Sequence, residues 1–401
     1  MEKKKISTIL SFALIIITLL LVSVFSIYSF WDKNTVSEEE NRTLAKKPEI
    51  SAKKWFDGSF VSELNLFLND HVLMRNEIID NASEFESLLR KEQTVQVMKS
   101  NDERKDIGSD ALILEDKILA LYISNQDYID SIIEVSNKLF DMMPENVNKY
   151  MMISPARIEF EEEEYKQYSD SQLDSIYEIY SEMNENVKTV DSYSLLQYAS
   201  ETMGIDKLYF KSDHHWTAYG ASFGANALLS SMGKELVLPE NYDEINAGDF
   251  LGYLAVMHSA NASNLNPESF IYYDCAPEIY EYAYGVEGAD ITESKYELLL
   301  DGERAGYYTF VERSYQYVVI EGGNKEGGNL LMINDSFGNA MVPWMASQFN
   351  TIVMIDPRLY EGGNEGFMKL IEDYEISDFV ISLAGLVSGS SFGGEMAKLC
   401  E

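Results

Sequence analysis

At 401 residues with 46% hydrophobic side chains, the chain is long enough for one large elaborated domain or two. Its net charge of −36 excludes nucleic acid as a partner, because one polyanion repels another. Cys275 and Cys400, the only cysteines, are too few and too far apart for a cysteine-built zinc site, and they leave one disulfide between them open.

The chain begins with Lys3, Lys4 and Lys5, followed by a run without charge from Ile6 to Phe30. Such a run is long enough to span a bilayer, which takes about 20 apolar residues. It exceeds the apolar core of a cleaved signal peptide, and no A-x-A site follows it. Residues 1–30 therefore read as cytoplasmic lysines and a transmembrane signal anchor, with a cleaved signal as the fallback. The positive-inside rule then places everything after Trp31 on the extracytoplasmic side.

Residues 31–108 read as a juxtamembrane and N-terminal helical region. Pro48 bars a helix early on, whereas Phe60, Leu64, Phe67 and Leu68 recur at helical spacing from Ser59. Asn69-Asp70-His71 interrupts that pattern, and a second helix is predicted from Arg75 to about Leu89. A domain over 109–401 follows, in which strands alternate with helices, so the fold class is α/β with a mostly parallel sheet in three layers. Strands are predicted at Leu112–Leu114, Ile118–Ile123, Tyr150–Pro155, Val190–Tyr193 and Leu208–Phe210; helices at Asp127–Met143, Ser169–Val187 and Ala218–Met232. The acidic run Glu159–Glu164 reads as a solvated helix face. The rhythm breaks over about 235–328, where β-rich runs including Phe270–Tyr273, Tyr296–Leu300, Tyr307–Phe310 and Tyr315–Ile320 suggest an inserted antiparallel element. It resumes with strands Leu330–Ile333, Thr351–Ile355 and Phe379–Leu383.

Two segments carry chemistry. Asn334-Asp335-Ser336-Phe337-Gly338 follows a short apolar strand, at the sheet edge where open α/β folds bind ligands. A serine there presents its hydroxyl with its own and the next backbone N–H groups at a helix start, half of an oxyanion hole. The same residues also make an ordinary helix cap. Lys211-Ser212-Asp213-His214-His215-Trp216-Thr217 holds two of the four histidines of the chain. If Leu208–Phe210 is a strand, Asp213 and His215 face the same side and His214 the other. Asp213 can then orient His215, which serves as base to Ser336. A metal site from Asp213, His214 and His215 competes, but adjacent histidines on a strand diverge and no HExxH partner is present. Trp216 either floors the imidazole or stacks on a sugar. Arg358, beyond the strand Ile352–Ile355, either holds an acyl oxygen or acidic sugar or pairs with Asp356 or Asp335. Asn339 is an oxyanion donor or a cap.

Asp213-His214-His215-Trp216-Thr217 followed by Tyr219-Gly220-Ala221 resembles the signature of the bacterial DHHW-protein family. That family is related to the alginate O-acetyltransferases AlgJ and AlgX, with an SGNH-hydrolase-like fold. Glu40-Asn41-Arg42-Thr43-Leu44 with Pro48, and Asn69-Asp70-His71 with Arg75, resemble its N-terminal part. Asp335-Ser336-Phe337 is similar to its nucleophile block, with Asn334 where glycine often stands, and Asp356-Pro357-Arg358 is similar to its D-x-R segment. The resemblance implies Ser336 as nucleophile, His215 as base and Asp213 as orienting acid, in the permuted order in which histidine precedes serine. It implies an anchored O-acetyltransferase without a cofactor, acting on an exported or cell-wall polysaccharide, with an MBOAT-type membrane acyltransferase as acyl donor. A carbohydrate acetylesterase with the same triad and a non-catalytic scaffold or sugar-binding module are the alternatives.

Overall fold

The computed structural model describes residues 36–37, 42–48, 50–51, 54, 59–71, 95–99, 108–262, 265–276, 280–284, 293–296, 300, 305–311 and 315–401. The predicted anchor over 1–30 and the predicted helix Arg75–Leu89 lie outside them. Among the described residues no helix is long and apolar enough to cross a membrane. The chain divides into two compact units, Met1–Arg90 with Ser259–Ser263, and Lys91–His258 with Asn264–Glu401.

In the first unit β1 (Val36–Ser37) pairs antiparallel with β2 (Arg42–Thr43), and α1 spans Ser59–Asp70. The two N-terminal motifs meet here. The Ala45 N–H donates to the Asp70 carboxylate at 2.7 Å, and Nε2 of His71 lies 3.0 Å from the Ala45 carbonyl oxygen.

The second unit opens with a small antiparallel sheet of β3 (Val95–Met98), β4 (Ala111–Leu114) and β5 (Ile118–Ala120). Then come α2 (Gln126–Met142), β6 (Asn148–Ser154), α3 (Gln172–Ser181), β7 (Val187–Val190), α4 (Ser192–Met203) and α5 (Ala218–Ser231). The irregular middle holds β8 (Glu244–Phe250), α6 (Tyr253–Met257), β9 (Glu268–Tyr273), β10 (Tyr280–Tyr284) and β11 (Glu293–Tyr296). The last stretch adds β12 (Tyr317–Glu321), β13 (Asn329–Asn334), α7 (Ser336–Met345), β14 (Thr351–Ile355), α8 (Gly363–Asp373), β15 (Asp378–Ala384) and α9 (Phe392–Ala397).

Eight strands form the main sheet in the order β11-β10-β12-β14-β13-β15-β6-β7. The sheet is mixed: β14, β13, β15, β6 and β7 run parallel, and β12, β10 and β11 extend it antiparallel. The inner parallel strands carry apolar runs such as Leu330-Leu331-Met332-Ile333, because helices cover both faces and neither side may be polar, whereas edge strand β7 is mostly exposed. The steps β13→β14 and β14→β15 go opposite ways across the sheet, so right-handed crossovers put α7 and α8 on opposite faces. The expected single insertion is two things: a separate hairpin of β8 with β9, and the antiparallel extension of the main sheet.

Other expectations are corrected. Leu208 ends a single helical turn, Ile205–Leu208, and Tyr209 makes one isolated bridge, to Trp216, so no strand forms there. Tyr307–Thr309 is a 3₁₀ turn where a strand was expected. The acidic run is not one solvated helix face: Glu161 is buried and pairs with Arg157 at 2.6 Å and Lys117 at 2.7 Å. Cys275 and Cys400 are free thiols, the former buried.

Candidate active site

Regular structure delivers Ser336. Strand β13 is buried on both flanks by β14 and β15 and ends at Asn334, and Ser336 opens α7. Asp335 caps the helix. Its Oδ1 accepts the Phe337 N–H at 2.9 Å, and its Oδ2 accepts the Ala384 N–H at 2.7 Å from the end of β15. Burial raises the Asp335 carboxyl above its usual pKa, and these two N–H groups oppose the rise. The expected fan of N–H donors is therefore narrower. Phe337 N–H is spent on the cap, and Gly338 N–H on the Asp335 carbonyl at 3.0 Å. That leaves the N–H of Ser336 itself, at a helix position with no carbonyl behind it.

Asn334 and Gly338 explain one another. The Asn334 side-chain NH2 donates to the Asp335 carbonyl at 2.7 Å and toward Oδ1 of Asn339 at 3.3 Å. A Cβ on Gly338 would sit 2.7 Å from that amide nitrogen, so any larger residue would push it aside. Asn339 is buried in the first turns of α7, its Oδ1 occupied by Asn334 and its NH2 group left as a donor.

Asp213 and His215 come from a tight excursion rather than a strand. Its neck is closed by the Thr217 N–H to Leu208 carbonyl bond at 2.8 Å and the Phe210 N–H to His215 carbonyl bond at 3.3 Å. Arg157, buried between Glu161 and Asp206, donates to the carbonyls of Tyr209 and Phe210 at 3.1 and 3.3 Å. Within the excursion Oδ1 of Asp213 accepts the backbone N–H of His215 at 3.0 Å and lies 2.6 Å from its Nδ1. The two-residue spacing works because an aspartate folds back onto the residue two ahead, not because strand residues alternate. Nε2 of His215 lies 2.6 Å from Oγ of Ser336. The three side chains thus form one continuous hydrogen-bonded chain. Burial disfavours the Asp213 carboxylate, but the charge and hydrogen bond of His215 outweigh burial and hold its pKa well below the usual range.

His214 does not face away. Its ring lies against that of His215, tilted by 35° with centroids 3.9 Å apart, while Tyr307 lies nearly parallel to His215 at 3.8 Å. Two rings that close cannot share one face, so the His215 imidazole is sandwiched. Burial, with the neighbouring His215 charge, draws the pKa of His214 down to about 3, so it stays neutral in ordinary buffers. Tyr307 was missed in the sequence because its segment reads as a strand and nothing local ties it to His215. Trp216 is buried and unavailable to a sugar; its indole N–H donates to the Phe337 carbonyl at 3.1 Å and ties the base loop to α7.

Arg358 pairs with Asp356, Nε to Oδ1 at 2.9 Å and one terminal nitrogen to Oδ2 at 2.6 Å, and not with Asp335. Its side chain remains 43% exposed, enough to leave guanidinium donors for an outside anion or carbonyl. Ligand atoms of Asp213, His214 and His215 lie within 4.8 Å of one another, which is metal-compatible spacing. Yet both nitrogens of His215 face partners, and Oδ2 of Asp213 accepts the Tyr253 N–H at 2.7 Å. A cation held by His215 would have to break its link to either Asp213 or Ser336, so the donors present fit proton transfer better than ligation.

A strand-end serine hydrogen-bonded to an imidazole that a carboxylate orients is the arrangement of serine-dependent acyl-group chemistry. The DHHW-protein family profile matches residues 62–355, and the chain belongs to that family. A DHHW family protein from Eubacterium siraeum superposes with a TM-score of 0.61 at 22% identity, over 77% of this chain and 96% of that one. Bacillus cereus PatB1 with a sulfonyl adduct gives 0.56 at 19% identity, over 71% and 97%. The O-acetyltransferase domain of Pseudomonas putida AlgJ gives 0.39 at 13% identity, over 74% and 92%. No curated protein matches the sequence.

Proposed function

We propose that this chain is a membrane-anchored, extracytoplasmic O-acetyltransferase for an exported or cell-wall polysaccharide, using Ser336, His215 and Asp213 as nucleophile, base and orienting acid. The observation that carries this reading is the unbroken Asp213–His215–Ser336 chain, with both links at 2.6 Å. The uncharged run behind Lys3–Lys5 supports the anchor.

His215 Nε2 takes the Ser336 proton as Oγ attacks the acyl carbonyl, and Asp213 stabilises the imidazolium that forms. The Ser336 N–H and the Asn339 NH2 group stabilise the tetrahedral oxyanion, and Arg358 orients the acyl donor or an acidic sugar. The leaving group departs with the proton from His215, and an acetyl-serine remains. A sugar hydroxyl then gives His215 its proton, attacks the acetyl carbonyl, and Ser336 leaves as the restored hydroxyl. A polytopic membrane acyltransferase of the MBOAT class supplies the acetyl group.

The test gives the full-length chain, purified in mild detergent, p-nitrophenyl acetate and fragments of envelope polysaccharides. Acetyl esters on sugar support transfer. Free acetate alone makes water the acceptor and the protein an esterase. Activity equal in native protein and Ser336→Ala overturns both.

A further inference from the structure

The β8–β9 hairpin interrupts the α/β alternation, and its residues close around the base loop. Phe210, at the loop's neck, packs against both Phe250 and Phe270, with ring centroids 4.8 and 5.4 Å away. Phe250 and Glu268 are cross-strand partners in the hairpin, so the same ladder sets Glu268 beside the next residues of the loop. Oε1 of Glu268 accepts the Lys211 N–H at 3.0 Å, the Ser212 N–H at 2.9 Å and the Ser212 hydroxyl at 2.7 Å. With its proton committed, the Ser212 hydroxyl accepts the Gly252 N–H at 2.9 Å. The Ala255 N–H reaches the Ser212 carbonyl at 3.1 Å, and the Tyr253 N–H reaches Oδ2 of Asp213 at 2.7 Å. Gly252 has to be glycine for this approach, since a Cβ would lie 2.4 Å from the Cβ of Asp213.

We propose that Glu268 is a positioning residue for the base, acting through Asp213, and that the β8–β9 hairpin with α6 is the clamp it belongs to. The inference rests on the reading of Ser336, His215 and Asp213 as the catalytic unit. One carboxylate that gathers two backbone N–H groups and a hydroxyl fixes the path of Lys211 and Ser212. Oδ2 of Asp213 is then pinned by Tyr253, and its other oxygen meets the backbone N–H and Nδ1 of His215. Misaiming by about 1 Å is enough to cost a large factor in rate.

The experiment measures kcat and KM for p-nitrophenyl acetate with the full-length chain. It compares Glu268→Ala and Glu268→Gln in the native and Asp213→Asn backgrounds, with Ser336→Ala alongside. Glu268→Ala should lower kcat by roughly 10- to 100-fold and leave KM within about twofold. Glu268→Gln, whose amide oxygen still accepts both Ser212 donors, should recover most of that loss. In Asp213→Asn the same Glu268→Ala change should cost less than about threefold, because residues acting as one unit are not additive. An equal loss in both backgrounds, or a rise in KM with kcat unchanged, overturns the proposal. If Glu268→Ala does not fold, Glu268→Asp and Gly252→Ala replace it, and native kcat in both overturns it. Inactive Ser336→Ala beside fully active Glu268→Ala sinks this inference alone; fully active Ser336→Ala sinks the catalytic reading beneath it.

Discussion

Ser336 and the Asp213–His215 pair meet at one point but are held there by different means. The serine sits at the end of β13, between two parallel neighbours, with its turn locked by Asp335 to Phe337 and Ala384. Asp213 and His215 sit on an irregular excursion whose shape comes from side chains far away in sequence: Arg157 at its neck, Glu268 along its flank, and Tyr307 on the imidazole face. Packing of apolar strands places Ser336, and buried polar contacts place His215. Packing tolerates substitution with a loss of stability, whereas a hydrogen-bonded loop loses its aim first.

The largest expected effect probes the point where the two halves meet. Ser336→Ala and His215→Ala should each lower ester turnover on the order of 10³-fold or more, and the double variant should be scarcely worse. Steady-state kinetics on the three variants checks this. Losses that multiply would mean that the two residues act independently.

The second prediction separates the halves. Met332→Ala, in the buried β13, should cost about 3 kcal/mol of stability yet leave kcat of the folded protein within about threefold. Arg157→Ala should cost about 2–3 kcal/mol, because buried Glu161 loses one charge-assisted hydrogen bond and is left with Lys117. It should lower kcat as well, since the neck carbonyls lose their donor. Urea unfolding beside kinetics reads both quantities, and equal kcat losses in the two variants would erase the contrast.

A smaller effect concerns pH. His214 stays neutral in the folded protein down to about pH 3, whereas in the unfolded chain it takes a proton near 6.5. Between those values the unfolded state binds more protons, so stability contributed by neutral His214 is full above 6.5 and is lost as pH falls. His214→Gln should flatten the acid limb of the unfolding free energy by at most about 3 kcal/mol at about pH 4. An unchanged limb would mean that His214 is better solvated than its buried position implies. Smallest of all, Trp216→Phe removes the indole bond to the Phe337 carbonyl and should cost about 1 kcal/mol, with little change in rate.

The difference between the halves also decided what could be read from the chain. Leu330–Ile333, Thr351–Ile355 and Phe379–Leu383 announce themselves because a strand covered on both faces must be apolar throughout, and each lies within an observed strand. Ser336 follows from the position after such a strand, and the pairing of Asp213 with His215 from their spacing. The backbone assumed for that spacing was wrong: the excursion is a turn, so the His214 ring lies tilted against His215 instead of diverging. Glu268, Gly252 and Tyr307 leave no local signal, because what they do depends on a loop 40 or more positions away. The Glu159–Glu164 run misled in part for the same reason: Arg157 stands four residues before Glu161, but only the fold brings Lys117 to it.

The most direct test of the acyl-transfer account is to find the acetyl group on the protein. The full-length chain is mixed with p-nitrophenyl acetate, quenched in acid within the first turnover, digested and read by mass spectrometry. The account predicts one acetyl group on the peptide that carries Ser336, lost in His215→Ala and discharged in the native protein by an added sugar acceptor or water. Rapid turnover with Ser336 unmodified, or acetylation that persists at another residue in Ser336→Ala with full activity, would contradict it.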